Sequence, residues 1–280
     1  MIVMKKVLAV LLSFLFVVAA FSGCSSNKKE KYSDETLIIG YTEALEPFLS
    51  IDENGKATGF DAELFKAIFD DVKGDLKSYR FEKVDEGYAL EDDGGFFDSQ
   101  EKEYSAALLM GGVSKNRGTF NEDYSFTEPI ITNRIIAVTA KGSDRKTFSD
   151  FKDARVVLLS DVARITFAEN TAISSACKSM VKAQSVEVAL ELLDKGMADI
   201  LVTDEFSFRP SEKAENYTVM ENELDTIEYV IACAKYSGWK DSINAAIKEL
   251  KDEEYGDGDT FTPIVEKYFG YNASSFDYKG

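Results

Sequence analysis

The stretch GGVSKNR at residues 111–117 brings two glycines, a serine and an arginine together, and these residue types can bind an anion. Glycine has no Cβ, so Gly111 and Gly112 let the backbone come close to a ligand. Ser114 offers a hydroxyl, and Arg117 a planar fork of donors that matches a carboxylate. Where such a loop enters a short helical turn, backbone N–H groups add to the set. The same residues also make an ordinary Gly-rich turn with a solvated arginine, and both readings stand at this point. A second polar feature is Asp204, which closes the run ADILVTD at 198–204. A carboxylate at a strand end can cap a nearby loop or take part in a site. The chain has no histidine, which excludes His-based triads, proton relays and most zinc sites. No matched acid–base pair stands out among the carboxylates, lysines and tyrosines, so no catalytic residue, metal or cofactor is expected.

Those residues need elements to hold them. Residues 37–40 read as a short buried strand opening onto a loop pinned by Pro47, and DENG at 52–55 is a tight-turn signal. Leu64, Phe65, Ile68 and Phe69 recur at helical spacing after Gly59-Phe60-Asp61. Residues 79–84 predict a strand, and the acidic, glycine-broken stretch 91–103 reads as a modified helix plus loop. Leu108, Leu109 and Met110 end a buried strand directly before the glycines. Residues 130–140 and 228–235 are β-branched or apolar and predict strands leaving and re-entering the first half. A helix over 185–195 is capped by Ser185 and stopped by Gly196. Ser160 or Asp161 caps another, and helices over 241–251 and 261–270 close the chain. Strands alternating with helices, with two passes between halves, predict two α/β lobes joined by two hinge segments. Lobe 1 is expected at 36–134 plus 229–274 and lobe 2 at 135–228, with a ligand cleft beyond the strand carboxyl ends.

At the amino terminus Lys5 and Lys6 precede an apolar run that ends at Phe21, followed by Ser22-Gly23-Cys24. The run is shorter than the roughly 20 residues of a membrane span, and its order marks a secretory signal. The small residues before Cys24 resemble a lipobox, so residues 1–23 are expected to be removed and Cys24 to carry lipid. Residues 24–35 are polar and without periodicity, as a tether is. The net charge is −18, and it becomes more negative without Lys5 and Lys6. That argues against nucleic acid and against an anionic membrane surface as partners. Only Cys177 and Cys233 remain beyond Cys24; free buried thiols are expected, and pairing is left open.

Residues 108–129, LLMGGVSKNRGTFNEDYSFTEP, resemble the signature of the family 3 extracellular solute-binding proteins, the amino-acid receptors of bacterial ABC importers. The PF loop at 47–48, the DENGK hairpin, GFDAEL at 59–64, the run from Leu193 to Asp204 and IVEKYFG at 264–270 fit the same pattern. The resemblance implies a type II periplasmic-binding-protein fold that is no enzyme. Such a protein, expected as a monomer, would close its lobes on a small ligand and pass it to an ABC permease from the outer face of the membrane. It also implies roles. Arg117 and Ser114 would take the ligand carboxylate, while the Gly112 carbonyl and Asp204, from opposite lobes, would take the ammonium.

Several positions depart from that pattern. Gly112 replaces a usual Thr or Ser, Ser105 a usual Asp, and Thr42 a frequent Asp. Leu45 stands where an aromatic commonly stacks on the ligand. Asp161-Val162-Ala163 replaces a G-T-T type helix start, and an aspartate there opposes an anion. Either Arg117 carries the carboxylate nearly alone or the ligand is not a standard amino acid. Glu43, Glu46, Asp161 and Asp204 either favour a cationic or neutral ligand or form a solvated rim. Tyr41, Phe60 and Tyr88 are candidate aromatic walls or packing residues. Two other classes compete: a ligand-sensing receptor with a divergent site, and a dehydratase-like enzyme on the same fold.

Overall fold

The computed structural model describes residues 36–84, 96–97, 103–104, 106–115, 124–235, 237–254, 256 and 258–280. The leader, Cys24 and the tether therefore lie outside the described residues, as do Tyr88, Ser105 and Arg117.

The first part of the chain contributes β1 (Thr36–Tyr41), the hairpin β2 (Ser50–Ile51) and β3 (Ala57–Thr58), α1 (Phe60–Val72) and β4 (Ser78–Lys83). Then come β5 (Phe96–Phe97), β6 (Glu103–Tyr104), β7 (Leu108–Leu109) and β8 (Tyr124–Phe126). The middle part begins with β9 (Ile131–Ala140) and β10 (Arg155–Leu158). It continues through α2 (Asp161–Glu169), α3 (Thr171–Ser174), β11 (Ser179–Lys182), α4 (Val186–Asp194) and β12 (Ile200–Asp204). α5 (Glu205–Phe208), β13 (Tyr217–Val219) and β14 (Asp225–Tyr229) complete it, and β15 (Ala232–Ala234), α6 (Trp239–Lys251) and α7 (Phe261–Phe269) close the chain.

Two principal sheets result. One has the order β4-β1-β7-β15-β8, with β1 parallel to both β4 and β7. The other has the order β11-β10-β12-β9-β13, with β14 also paired to β9. The chain changes sheet at residues 127–130 and again at 230–231. The two crossings are tied to each other: the Thr127 N–H donates to the Ile231 oxygen at 3.1 Å, and the Ile231 N–H to Thr127 Oγ1 at 3.0 Å. The second principal sheet already begins at Ile131, so residues 131–134 pair with β14. The expected return strand at 228–235 is two strands, each in a different sheet.

Alternation explains the layers. In β10, Val156 and Leu158 face a core with Ala163 and Phe167 of α2, while Val157 faces the opposite core with Leu190 and Leu193 of α4. A strand covered on both faces reads as an unbroken apolar run, as RVVLL does. The first sheet packs Leu37, Ile39 and Leu108 against Leu64, Phe65 and Ile68 of α1 and Ile243 and Ile247 of α6. Ser185 accepts the Val188 N–H and Ser160 the Ala163 N–H, so both helix starts are capped by their serines. Gly270, at φ 72°, ends α7 in the left-handed conformation that glycine tolerates best.

One expectation fails here. At its described positions the stretch 91–103 carries strand rather than helix, for Phe96–Phe97 pairs antiparallel with Glu103–Tyr104. Paired glycines and adjacent aromatics favour strand and turn over a helix interior.

Candidate functional site

The candidate residues lie at the carboxyl ends of parallel strands in both sheets. In the first sheet, β1 leads into Thr42 and Leu45, and β7 into Gly111, Gly112 and Ser114. In the second, β10 leads into Asp161, and β12 ends at Asp204.

The glycine turn rests on the loop after β1. Gly111 has φ 99° and Gly112 φ 77°, values that suit glycine. A Cβ on Gly111 would sit 3.2 Å from the Glu43 oxygen and from Tyr41 Cβ. One on Gly112 would sit 3.0 Å from the Phe48 ring and 3.3 Å from a Leu45 methyl. A side chain larger than glycine would therefore have to displace the loop. Leu45 and Gly112 are brought together, and Leu45 remains 49 % exposed, an apolar side chain open to whatever enters. Thr42 is half-buried beside them. Glu43 and Glu46 are exposed, and Glu46 accepts the Ser50 hydroxyl at 2.7 Å. Phe60 is fully buried in the core and forms no wall.

The helical turn expected after Ser114 would fall on residues 116–120, outside the described residues. Ser114 forms an antiparallel bridge with Tyr229, while the Lys115 N–H donates to Glu228 and the Val230 N–H to Val113. This short ladder ties the site segment to the hinge, and the β-branched Val113 suits it. The Ser114 side chain is buried, and its hydroxyl finds no hydrogen-bond partner among the described residues.

Asp204 is buried, and its carboxylate is already engaged. Its Oδ1 accepts the Ser207 N–H at 3.0 Å and Asn133 Nδ2 at 3.2 Å, and its Oδ2 accepts the Ser207 hydroxyl at 2.8 Å. Asp204 thus caps α5, which is the loop-capping alternative open to it in the sequence. An ionised carboxylate offers about four acceptor positions, so among the described residues one on Oδ2 is left over. Asn133, buried in β9, also accepts the Phe206 N–H at 3.2 Å and so fixes the whole turn after β12.

Asp161 stands apart. It is exposed and accepts Lys182 Nζ at 2.9 Å and Arg164 Nε at 3.4 Å. Lys182 and then Arg164 hold its carboxyl below the usual range. Two cations around one carboxylate leave this helix start positive, so the opposition to an anion expected there is offset. No contact joins Asp161 to Gly112 or Ser114 among the described residues.

Phe206 and Asp61 were not singled out in the sequence. Phe206 follows Asp204 on the second sheet's edge, yet its ring centroid lies 6.2 Å from Phe48 and 4.6 Å from Phe269 on the first-sheet side. Phe48 in turn lies against Gly112. The two carboxyl edges therefore meet through Phe48 and Phe206. Asp61, in the first turn of α1, accepts both glycine N–H groups of the turn on one oxygen, at 2.6 and 3.0 Å. Burial pushes its carboxyl up to about 6 against the opposing pull of those two donors. Among the described residues no group of three or more His, Cys, Asp or Glu could hold a metal ion. No described helix is long and apolar enough to cross a membrane.

Comparison with known proteins places this geometry. Residues 37–271 match the bacterial extracellular solute-binding proteins, family 3. The ABC transporter glutamine-binding protein GlnH of Bacillus subtilis is 22 % identical over 267 residues, covering 89 % of this chain and 94 % of that one. Among solved structures, a polar amino acid ABC uptake transporter substrate binding protein from Streptococcus thermophilus aligns with a TM-score of 0.60. It is 19 % identical and covers 86 % of this chain and 88 % of its own. The L-cystine solute receptor of Neisseria gonorrhoeae aligns with a TM-score of 0.58 at 18 % identity, covering 85 % and 94 %. The fold is the two-lobed α/β type of these receptors, and the chain belongs to family 3 of the bacterial extracellular solute-binding proteins.

Proposed function

We propose that this protein captures an amino acid between its two lobes and delivers it to an ABC importer, held at the outer face of the cell membrane by lipid on Cys24. The lobes would divide near the two changes of sheet. The observation that carries this reading is the buried hydroxyl of Ser114 at the carboxyl edge of the first sheet, which has no hydrogen-bond partner among the described residues. Leaving such a group unsatisfied costs about 1–3 kcal/mol, and a ligand carboxylate would supply the missing partner. Arg117, three residues on, would take the rest of that carboxylate. The free acceptor position on Asp204 and the carbonyls of the glycine turn would take the ammonium. Binding and lobe closure would then be one event, because the two charges are gripped from different lobes. Leu45, exposed beside Gly112, would meet the ligand side chain with an apolar surface.

A thermal-shift screen of the mature chain against the twenty amino acids tests this. At least one should stabilise the fold by roughly 3–4 kcal/mol when far above its dissociation constant. Failure of all twenty to raise the unfolding midpoint would exclude an amino-acid ligand.

A further inference from the structure

The glycine turn is held from beneath by a single buried side chain. Asp61 is only 7 % exposed, and its Oδ2 accepts the N–H of Gly111 at 2.6 Å and of Gly112 at 3.0 Å. Its backbone N–H meanwhile donates to the Phe48 oxygen at 2.9 Å, and that of Phe60 to the Pro47 oxygen at 3.0 Å. One residue thus joins the start of α1 to both site segments of the first sheet, the loop carrying Thr42 and Leu45 and the turn carrying Gly112. A trans peptide is planar, with its N–H and C=O pointing in opposite directions. With the Gly112 N–H turned down onto Asp61, the Gly111 carbonyl of the same peptide points away from it. Asp61 is buried while Gly111 and Gly112 are half-exposed, so that carbonyl points to the open side of the turn.

Resting on the amino-acid reading above, we infer that Asp61 is a positioning residue: it turns both glycine N–H groups inward, so that the turn presents the Gly111 carbonyl to a ligand ammonium and no donor to an anion. Without that anchor the two peptides could flip, and a Gly-Gly turn with free N–H groups attracts anions instead. The selectivity of this part of the site for a cation therefore resides in a carboxylate that does not touch the ligand.

Among the described residues, the titratable groups on the elements next to Asp61 and the glycine turn are Glu63 on its own helix, Lys267 and Tyr268 on α7, Tyr41 at the end of β1, and Glu43 and Glu46 on the loop after it. Glu63 is already held by Lys267 and Tyr268. The glutamates of the loop are exposed. None of these charges acts on Asp61, whose proton affinity is set by burial and by the two glycine donors. Protonation weakens the acceptor, so the grip on the turn should loosen in mild acid.

The test follows the Gly111 and Gly112 amide resonances from about pH 7.5 to about pH 4.5 in the wild type and in Asp61→Asn, and measures binding of an equimolar mixture of the twenty L-amino acids to both and to Asp61→Ala. Both amides should titrate together in the wild type and stay flat in Asp61→Asn. Asp61→Ala should bind the mixture roughly 10-fold or more weakly, with Asp61→Asn recovering part of the loss near neutrality and losing the wild type's decline in acid. If the wild type binds the mixture and Asp61→Ala binds it equally well, the inference is overturned while the receptor reading survives. If the wild type binds nothing, the receptor reading falls. The amides then decide for Asp61, and flat resonances in the wild type overturn its role as well. Should Asp61→Ala not fold, the pH profile of Asp61→Asn decides, and one parallel to the wild type is the contradicting result.

Discussion

The ring of Phe206 stacks on that of Tyr229, with centroids 5.8 Å apart and planes 23° from parallel. Phe206 follows Asp204 in α5, and Tyr229 is the last residue of β14 and the bridge partner of Ser114. Both sides of the candidate site are thus mechanically joined at the hinge, through Phe48 and Phe269 as well. Phe206→Ala should cost roughly 2–4 kcal/mol, below the value for a fully buried ring because Phe206 is only partly buried. It should also loosen the angle between the sheets. Urea unfolding reads the first effect, and small-angle scattering of the ligand-free protein reads the second as a larger radius of gyration.

A second prediction concerns the ion pairs behind that cluster. Glu205 is 3 % exposed and accepts two N–H groups of Arg134, both at 2.8 Å, and further donors from Arg209 at 3.0 and 2.9 Å. The arginines are much more open to water than the carboxylate. Removing a cation strands a buried anion, whereas removing the anion leaves cations that water can reach. The double variant Arg134→Met/Arg209→Met should therefore lose more stability than Glu205→Gln, by about 2 kcal/mol or more. Equal losses in urea unfolding would show that Glu205 is solvated after all.

The sign of the Asp61 effect on stability is fixed by its raised pKa. Burial lifts the carboxyl from 3.8 to about 6, so the fold holds that proton more tightly than the unfolded chain does. The stabilisation is fully present below about pH 3.8 and is lost as pH rises through about 6. Asp61→Asn carries no such cost. Its stability relative to the wild type should therefore rise by roughly 2 kcal/mol between pH 4 and pH 7.5. Denaturant melts at those two pH values measure it, and a difference that stays constant would contradict the assignment.

Much of this architecture was legible, and the reasons are local. The Leu64, Phe65, Ile68 spacing in α1 and the Ser185 cap of α4 depend on neighbours a turn away, so periodicity and capping residues show them directly. The apolar runs of β10 and β12 likewise announce strands covered on both faces. What stayed hidden depends on distant parts of the chain. Asp61 reads as an acidic residue in a helix's first turn, favoured there by the dipole, and only the fold brings it to Gly111, fifty positions on. Nothing local to Phe206 shows that its ring reaches the other sheet's aromatics. The bridge from Ser114 stays hidden for the same reason, because its partner Tyr229 lies far along the chain. Arg117 lies outside the described residues, so its role stays with the proposal.

The two remaining thiols differ in reach. Cys233 is fully buried in β15, and burial pushes its thiol far up. Cys177 is half-buried, with burial raising it less. Both are free in the structure. An aromatic disulfide reagent should therefore modify Cys177 slowly in the native protein and Cys233 only after unfolding, since the thiolate is the reacting form. Mass spectrometry of the labelled peptides checks this; rapid native labelling of Cys233 would mean that β15 opens readily.

The account depends most on a carboxylate meeting Ser114 and Arg117 on one edge while an ammonium meets Asp204 on the other. Calorimetric titration with the best-binding of the twenty amino acids, on the wild type and on Arg117→Ala, Ser114→Ala and Asp204→Asn, tests it most directly. Removing the guanidinium or the buried carboxylate should weaken binding by about 100-fold or more, and removing the hydroxyl by about 10-fold. Wild-type affinity in Arg117→Ala and Asp204→Asn alike would contradict the account.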